Sequence, residues 1–79
     1  MAYLLYRDHT IVSSAVYDDV SGKWKLNTCV SWQANGNEDR FHFIKNALER
    51  FSRFEDAENA GLEAGKSWVE KNAKQTVAS

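Results

Sequence analysis

A chain of 79 residues with 43% hydrophobic and 13% aromatic side chains has material for one small core and no room for a second domain. Ten basic and eleven acidic side chains leave a net charge of -1, which disfavours the basic stripe of a nucleic-acid module. The single cysteine, Cys29, excludes an internal disulfide, so packing or a partner subunit must supply stability, and a reducing cytoplasm suits such a chain.

The first apolar run, at residues 3–6, is too short for the hydrophobic region of a signal peptide, and no stretch approaches a membrane span. A cytoplasmic protein is expected. The β-branched and small residues from His9 to Tyr17 predict a strand. Its alternation puts Ile11, Ser13, Ala15 and Tyr17 on one face and Thr10, Val12, Ser14 and Val16 on the other. Asp18-Asp19-Val20-Ser21-Gly22 has turn composition, with Gly22 free to take a positive φ. From Lys23 to Gln33 the alternation is sharper, with Trp24, Leu26, Thr28, Val30 and Trp32 on one face and Lys25, Asn27, Cys29, Ser31 and Gln33 on the other. A second turn is expected at Ala34-Asn35-Gly36-Asn37.

Residues 40–51 read both ways. Phe41 and Phe43 alternate as in a strand, while Phe43, Ile44, Ala47, Leu48 and Phe51 recur at helical spacing. A strand through about Leu48 is preferred, because a two-stranded hairpin is marginal in water and a third strand can support a helix. Ser52 and Glu55 stand at capping-box spacing before an amphipathic helix running to Lys71. Its buried arc, Phe54, Ala57, Gly61, Ala64, Gly65, Trp68 and Val69, is rich in small residues. Each interior glycine costs a helix about 1 kcal/mol against alanine, so the plausible return is close approach to a sheet. The layer expected beneath Trp68 includes Trp24. Glu58 falls inside the apolar arc, where the simplest reading lays its stem along the edge and its head in water. A pairing role at the helix–sheet boundary is the alternative.

Several short patterns stand along this frame: Tyr6-Arg7-Asp8-His9-Thr10-Ile11, Gly22-Lys23-Trp24, Val30, Phe51-Ser52-Arg53 with Ala57, and Gly65-Lys66-Ser67-Trp68-Val69-Glu70. Together they resemble a family of small bacterial proteins of unknown function. That family opens on Tyr-x-Gly-x-x-Ile and ends on a Gly-Lys-x-Trp-Ile-Asp helix. Asp8 stands here in place of the glycine, and Glu70 in place of the aspartate. The resemblance covers roughly residues 6 to 70 and implies three antiparallel strands with one helix, and no activity.

The expectation is therefore an α+β domain over residues 1–72, a three-stranded antiparallel sheet packed on one C-terminal helix, with 73–79 a frayed tail. No catalytic constellation, cofactor motif or metal spacing is present. Asp8-His9 reads as a polar turn, and Cys29 with His42 falls short of a zinc set even if both share a sheet face. A non-enzymatic interaction or regulatory module is expected. One helix covers one sheet face, so the other face, assigned to Val12, Val16, Cys29, His42 and Ile44, must be tolerated in water, covered by the segment from Tyr3 to Tyr6, or paired with another subunit. Homodimerisation through that face or through an unpaired strand edge, or pairing with another protein, is expected. The alternative is nucleic-acid binding through the exposed face, with Lys23, Lys25, Arg40, Lys45 and Arg50 on phosphates and Gln33 or Asn27 on bases.

Overall fold

In the computed structural model, residues 1–34, 38–44 and 49–77 are described, with helix side chains described through Asn72. Among the described residues six strands precede one helix: β1 (Ala2–Tyr6), β2 (His9–Ser13), β3 (Val16–Asp18), β4 (Lys23–Lys25), β5 (Thr28–Ala34), β6 (Glu38–Ile44) and α1 (Phe54–Val77). The main sheet has four antiparallel strands in the order β1-β2-β5-β6, and β3 and β4 form a separate two-stranded sheet. The α+β class and the single C-terminal helix agree with the sequence reading. The strand count does not. The residue 3–6 run is itself an edge strand, and the sheet therefore has four strands instead of three.

The two long strands expected from the alternation pair as one bent hairpin. Ser13 lies opposite Thr28, and beyond the break Val16 lies opposite Lys25, so the register continues in phase. The Ser14 N–H donates to the Asn27 carbonyl at 2.9 Å across that break. Beyond the bend the hairpin leaves the main sheet and joins the helix start. Trp24 and Phe51 exchange two backbone bonds of 2.7 and 2.8 Å, and the Trp24 ring meets Tyr17 at 5.2 Å and Phe54 at 5.1 Å. Trp24 thus packs on the first helical residue. The indole beneath Trp68 is Trp32, at 5.2 Å. The residue 35–37 turn and the strand end towards Leu48 lie outside the described residues.

The turn joining β1 and β2 is two residues long, and both have positive φ, 50° at Arg7 and 64° at Asp8. This is the pattern of a type I′ turn, which matches the twist of a hairpin but strains residues with a Cβ. Asp8 occupies the place where the resembled pattern has glycine. Replacing Asp8 by Gly should stabilise the fold by about 0.5–1 kcal/mol, the relieved strain exceeding the entropy that glycine adds to the unfolded chain. A thermal melt checks it: a lowered midpoint would mean that the Asp8 carboxylate contributes more than its backbone costs.

The helix starts at Phe54, with the Ala57 N–H donating to the Arg53 carbonyl at 3.2 Å. The carboxylate expected to close a capping box, Glu55, is paired with Arg53 at 3.3 Å. Helical backbone continues past residue 73 to Val77. Ala57, Gly61, Gly65 and Val69, each four residues apart, form the buried line of the helix. Ile11, Val30 and Val69 make the fully buried core, flanked by Leu4, Tyr6, Trp32, Ile44, Leu62 and Trp68. A Cβ at Gly65 would run into Ile11 Cγ2, and one at Gly61 would run into the Ser13 and Thr28 hydroxyls. The two glycines let the helix rest on β2 and β5, as the sequence implied.

Glu58 is a correction. Its side chain is 13% exposed, and its Oε2 lies 2.7 Å from the Met1 ammonium, so the head is paired near the sheet edge and does not reach into water. Its backbone carbonyl accepts the Ser13 hydroxyl at 2.9 Å. Further along the helix, Glu70 accepts the Tyr6 hydroxyl at 2.8 Å.

At the tip of the bent hairpin, Asp18 organises the turn that Gly22 completes with φ 70°. One Asp18 carboxylate oxygen accepts the Arg50 Nε–H at 2.9 Å and the Ser21 hydroxyl at 3.1 Å, and the other accepts the Val20 N–H at 3.1 Å. The hydrogen bond from Arg50, then that from Val20, holds the carboxyl below its usual 3.8. A depressed carboxylate stabilises the fold above its unfolded pKa, and that contribution disappears as pH falls through the folded value. The stability difference between the native chain and Asp18→Asn should therefore be full at neutral pH and shrink below about pH 4, the ordinary carboxylate range. Urea titrations at several pH values check this. A difference that persists unchanged in strong acid would remove Asp18 ionisation from the account.

Candidate interaction surface

The pairing of the four main strands fixes which side chains share a face, because residues directly opposite each other in antiparallel strands project the same way. One such row runs Tyr3, Val12, Cys29, Phe43 across the sheet. The next runs Leu5, Thr10, Ser31, Phe41. Both lie on the side away from α1, since the alternating residues Leu4, Ile11 and Val30 pack in the core beneath the helix.

This open face carries large apolar side chains at both edges. Tyr3 is 75% exposed, Leu5 74%, Phe41 64% and Phe43 63%. Between them the two central strands present the small residues Thr10, Val12, Cys29 and Ser31. The result is a shallow trough with aromatic and aliphatic banks. At the end nearest the β1–β2 turn, Asp8, Gln33 and Asp39 join Leu5, Thr10 and Phe41 around a groove. That end of the face is acidic.

Of the residues assigned to this surface from sequence, Val12 and Cys29 lie on it. His42 and Ile44 do not: they sit opposite Val30 and Thr28 on the helix side. The phase of β6 is one residue away from the expectation, which put His42 and Ile44 on the face away from the helix. Beneath the helix, His42 stacks on the Trp68 ring at 4.6 Å and 14°. Val16 belongs to the separate β3–β4 sheet. Cys29 and His42 are consequently on opposite faces of the main sheet. His9 lies among aromatics, 5.4 Å from the Trp32 ring and 6.4 Å from Trp68. Its Nδ1 is 2.7 Å from the Arg7 carbonyl, and since a carbonyl only accepts, that nitrogen carries the proton.

The candidate phosphate contacts are dispersed. Lys23 and Lys25 are on β4, Arg40 pairs with Glu38 at 3.1 Å, and Arg50 is held by Asp18 beside the hairpin tip. Lys45 lies outside the described residues. Gln33 is on the open face, between Ser31 and the acidic end, and Asn27 lies at the bend of the hairpin, its carbonyl bonded to Ser14. Among the described residues no group of three or more His, Cys, Asp or Glu side chains could hold a metal ion. No helix among them is long and apolar enough to cross a membrane.

Tyr3, Leu5, Phe41 and Phe43 are the surface residues that the sequence reading did not assign. The signal was the run at residues 3–6, apolar at every position. A strand with one solvated face should alternate, so an edge strand apolar on both sides marks a second surface that seeks cover. Compared with protein-family models, curated proteins and solved structures, the chain matches none.

Proposed function

We propose that this chain is a small non-catalytic protein-interaction module whose working surface is the open face of its four-stranded sheet. The observation that carries this reading is the pair of cross-strand rows with Tyr3, Leu5, Phe41 and Phe43 largely exposed on one side. Four such side chains leave roughly 500 Å² of apolar surface in water, at about 150–250 Å² for a complete large aromatic. A patch of that size lies in the range of about 300–600 Å² that marks the largest, often functional, patch of a monomer.

Nucleic-acid binding has less support. The exposed face is apolar with an acidic end, the reverse of what a phosphate backbone selects. The lysines of β4 stand on a different sheet.

Affinity capture from native cell extract, comparing the wild-type chain with a Phe41→Asp/Phe43→Asp variant, tests the reading. The wild type should retain a partner that the variant loses. Retention of the same proteins by both would place the working surface elsewhere.

A further inference from the structure

We infer that the occupant of this face is a second copy of the chain, packed sheet against sheet about a two-fold axis that runs across the strands. The inference rests on the open face being the working surface, and goes further by naming the partner and its orientation.

Three observations favour it. The first is area. Adding the partly buried Thr10, Val12, Cys29 and Ser31 to the four large side chains brings the face to roughly 600 Å², the lower end of the ~600–1,000 Å² per partner of a standard stable interface. The second is composition. The face is apolar or uncharged over both complete rows, so a symmetric copy would bury no unpaired charge along them. The third is the position of the charges. Asp8 and Asp39 both belong to one end of the face. An axis along the strands would lay acidic end on acidic end, whereas an axis across them carries the two acidic ends to opposite ends of the interface.

That axis, midway between the rows, places Tyr3-Val12-Cys29-Phe43 of one protomer over the second row of its partner. Phe43 then meets the partner's Phe41, and Tyr3 meets the partner's Leu5, in aromatic and aliphatic contact along both edges. The small central residues allow the two sheets to approach to the ~10 Å of face-to-face packing. The polar outer surface of α1, with Glu55, Glu63 and Lys66 in solvent, stays outside the assembly.

Sedimentation velocity up to high micromolar concentration is the test. The wild-type chain should sediment as a dimer. Phe41→Asp/Phe43→Asp should be a monomer with unchanged helical circular dichroism, since both positions are exposed in the single chain, and its dissociation constant should rise by about 100-fold or more. A short bis-maleimide should link the two Cys29 thiols in the wild type and not in the aspartate variant. A wild-type chain that stays monomeric overturns self-association, while the capture comparison still decides whether the face binds another protein. A dimer that survives both aspartates overturns the sheet-to-sheet arrangement in favour of pairing through a strand edge. Absence of the Cys29 cross-link in a dimer whose thiols are fully modified overturns the axis.

Discussion

Alanine at Gly65 should lower the thermal midpoint, although alanine is the better helix former. On an exposed helix the change would add about 1 kcal/mol of stability. Here the new methyl would run into Ile11 Cγ2, a side chain with no exposed surface at the centre of the core. Either α1 lifts from β2, opening gaps along the line from Ala57 to Val69, or Ile11 leaves its rotamer. Overpacking of this kind costs about 1–3 kcal/mol, and the upper end applies where backbone must shift, so a net loss of about 1–2 kcal/mol is expected after the propensity gain is subtracted. For a domain of this size that is a fall of roughly 4–15 °C. Gly61→Ala should behave alike, its methyl meeting the Ser13 hydroxyl that bonds the Glu58 carbonyl. Breaking that bond adds the cost of buried polar groups left without partners. Differential scanning calorimetry of both variants settles the sign. A raised midpoint in either would mean that the helix does not rest on the sheet there.

Ile11→Ala should be the most damaging single truncation, at about 2–5 kcal/mol. The whole domain holds only about 4–12 kcal/mol at 0.05–0.15 kcal/mol per residue, so the variant should lose close to half of its stability. Ile11 bridges both neighbouring strands and the helix: it lies opposite Leu4 and Val30 and beneath Gly65. That geometry gives a sharper expectation than the magnitude. Removing the Ile11 branch vacates the space that an alanine methyl at 65 requires. The Ile11→Ala/Gly65→Ala double variant should therefore be more stable than the sum of the single losses by about 0.5–3 kcal/mol. Urea denaturation of the four proteins in this cycle measures the coupling. Simple additivity would mean that the two residues do not share one space.

Much of the frame was legible in the chain because its signals are local. The alternation from Lys23 to Gln33, the turn at Gly22 and the line of small residues on α1 each reflect a period of two or 3.6 residues with one buried side. The hairpin of the two central strands and the glycine contact with the sheet follow from them. Residues 3–6 gave no period, because Leu4 and Tyr6 are held by the core while Tyr3 and Leu5 form an uncovered surface. A strand apolar on both faces looks like any short apolar run. The phase of β6 was misread for a related reason. Two phenylalanines in alternation suggest a core, yet the space beneath the helix beside β6 is filled by His42 on Trp68 and by Ile44. The phenylalanines point the other way.

The sequence by itself determined the α+β class, the single helix, the position of the hairpin turn and the need for Gly61 and Gly65 to touch a partner layer. Tertiary structure alone decided the fourth strand, the bend that carries Trp24 to the head of the helix, and the side of the sheet on which each aromatic lies. The reason is physical. Periodicity states that a segment has two faces, but only pairing with neighbouring strands, each register step reversing every side chain, decides which face meets the core and which meets the solvent or a partner.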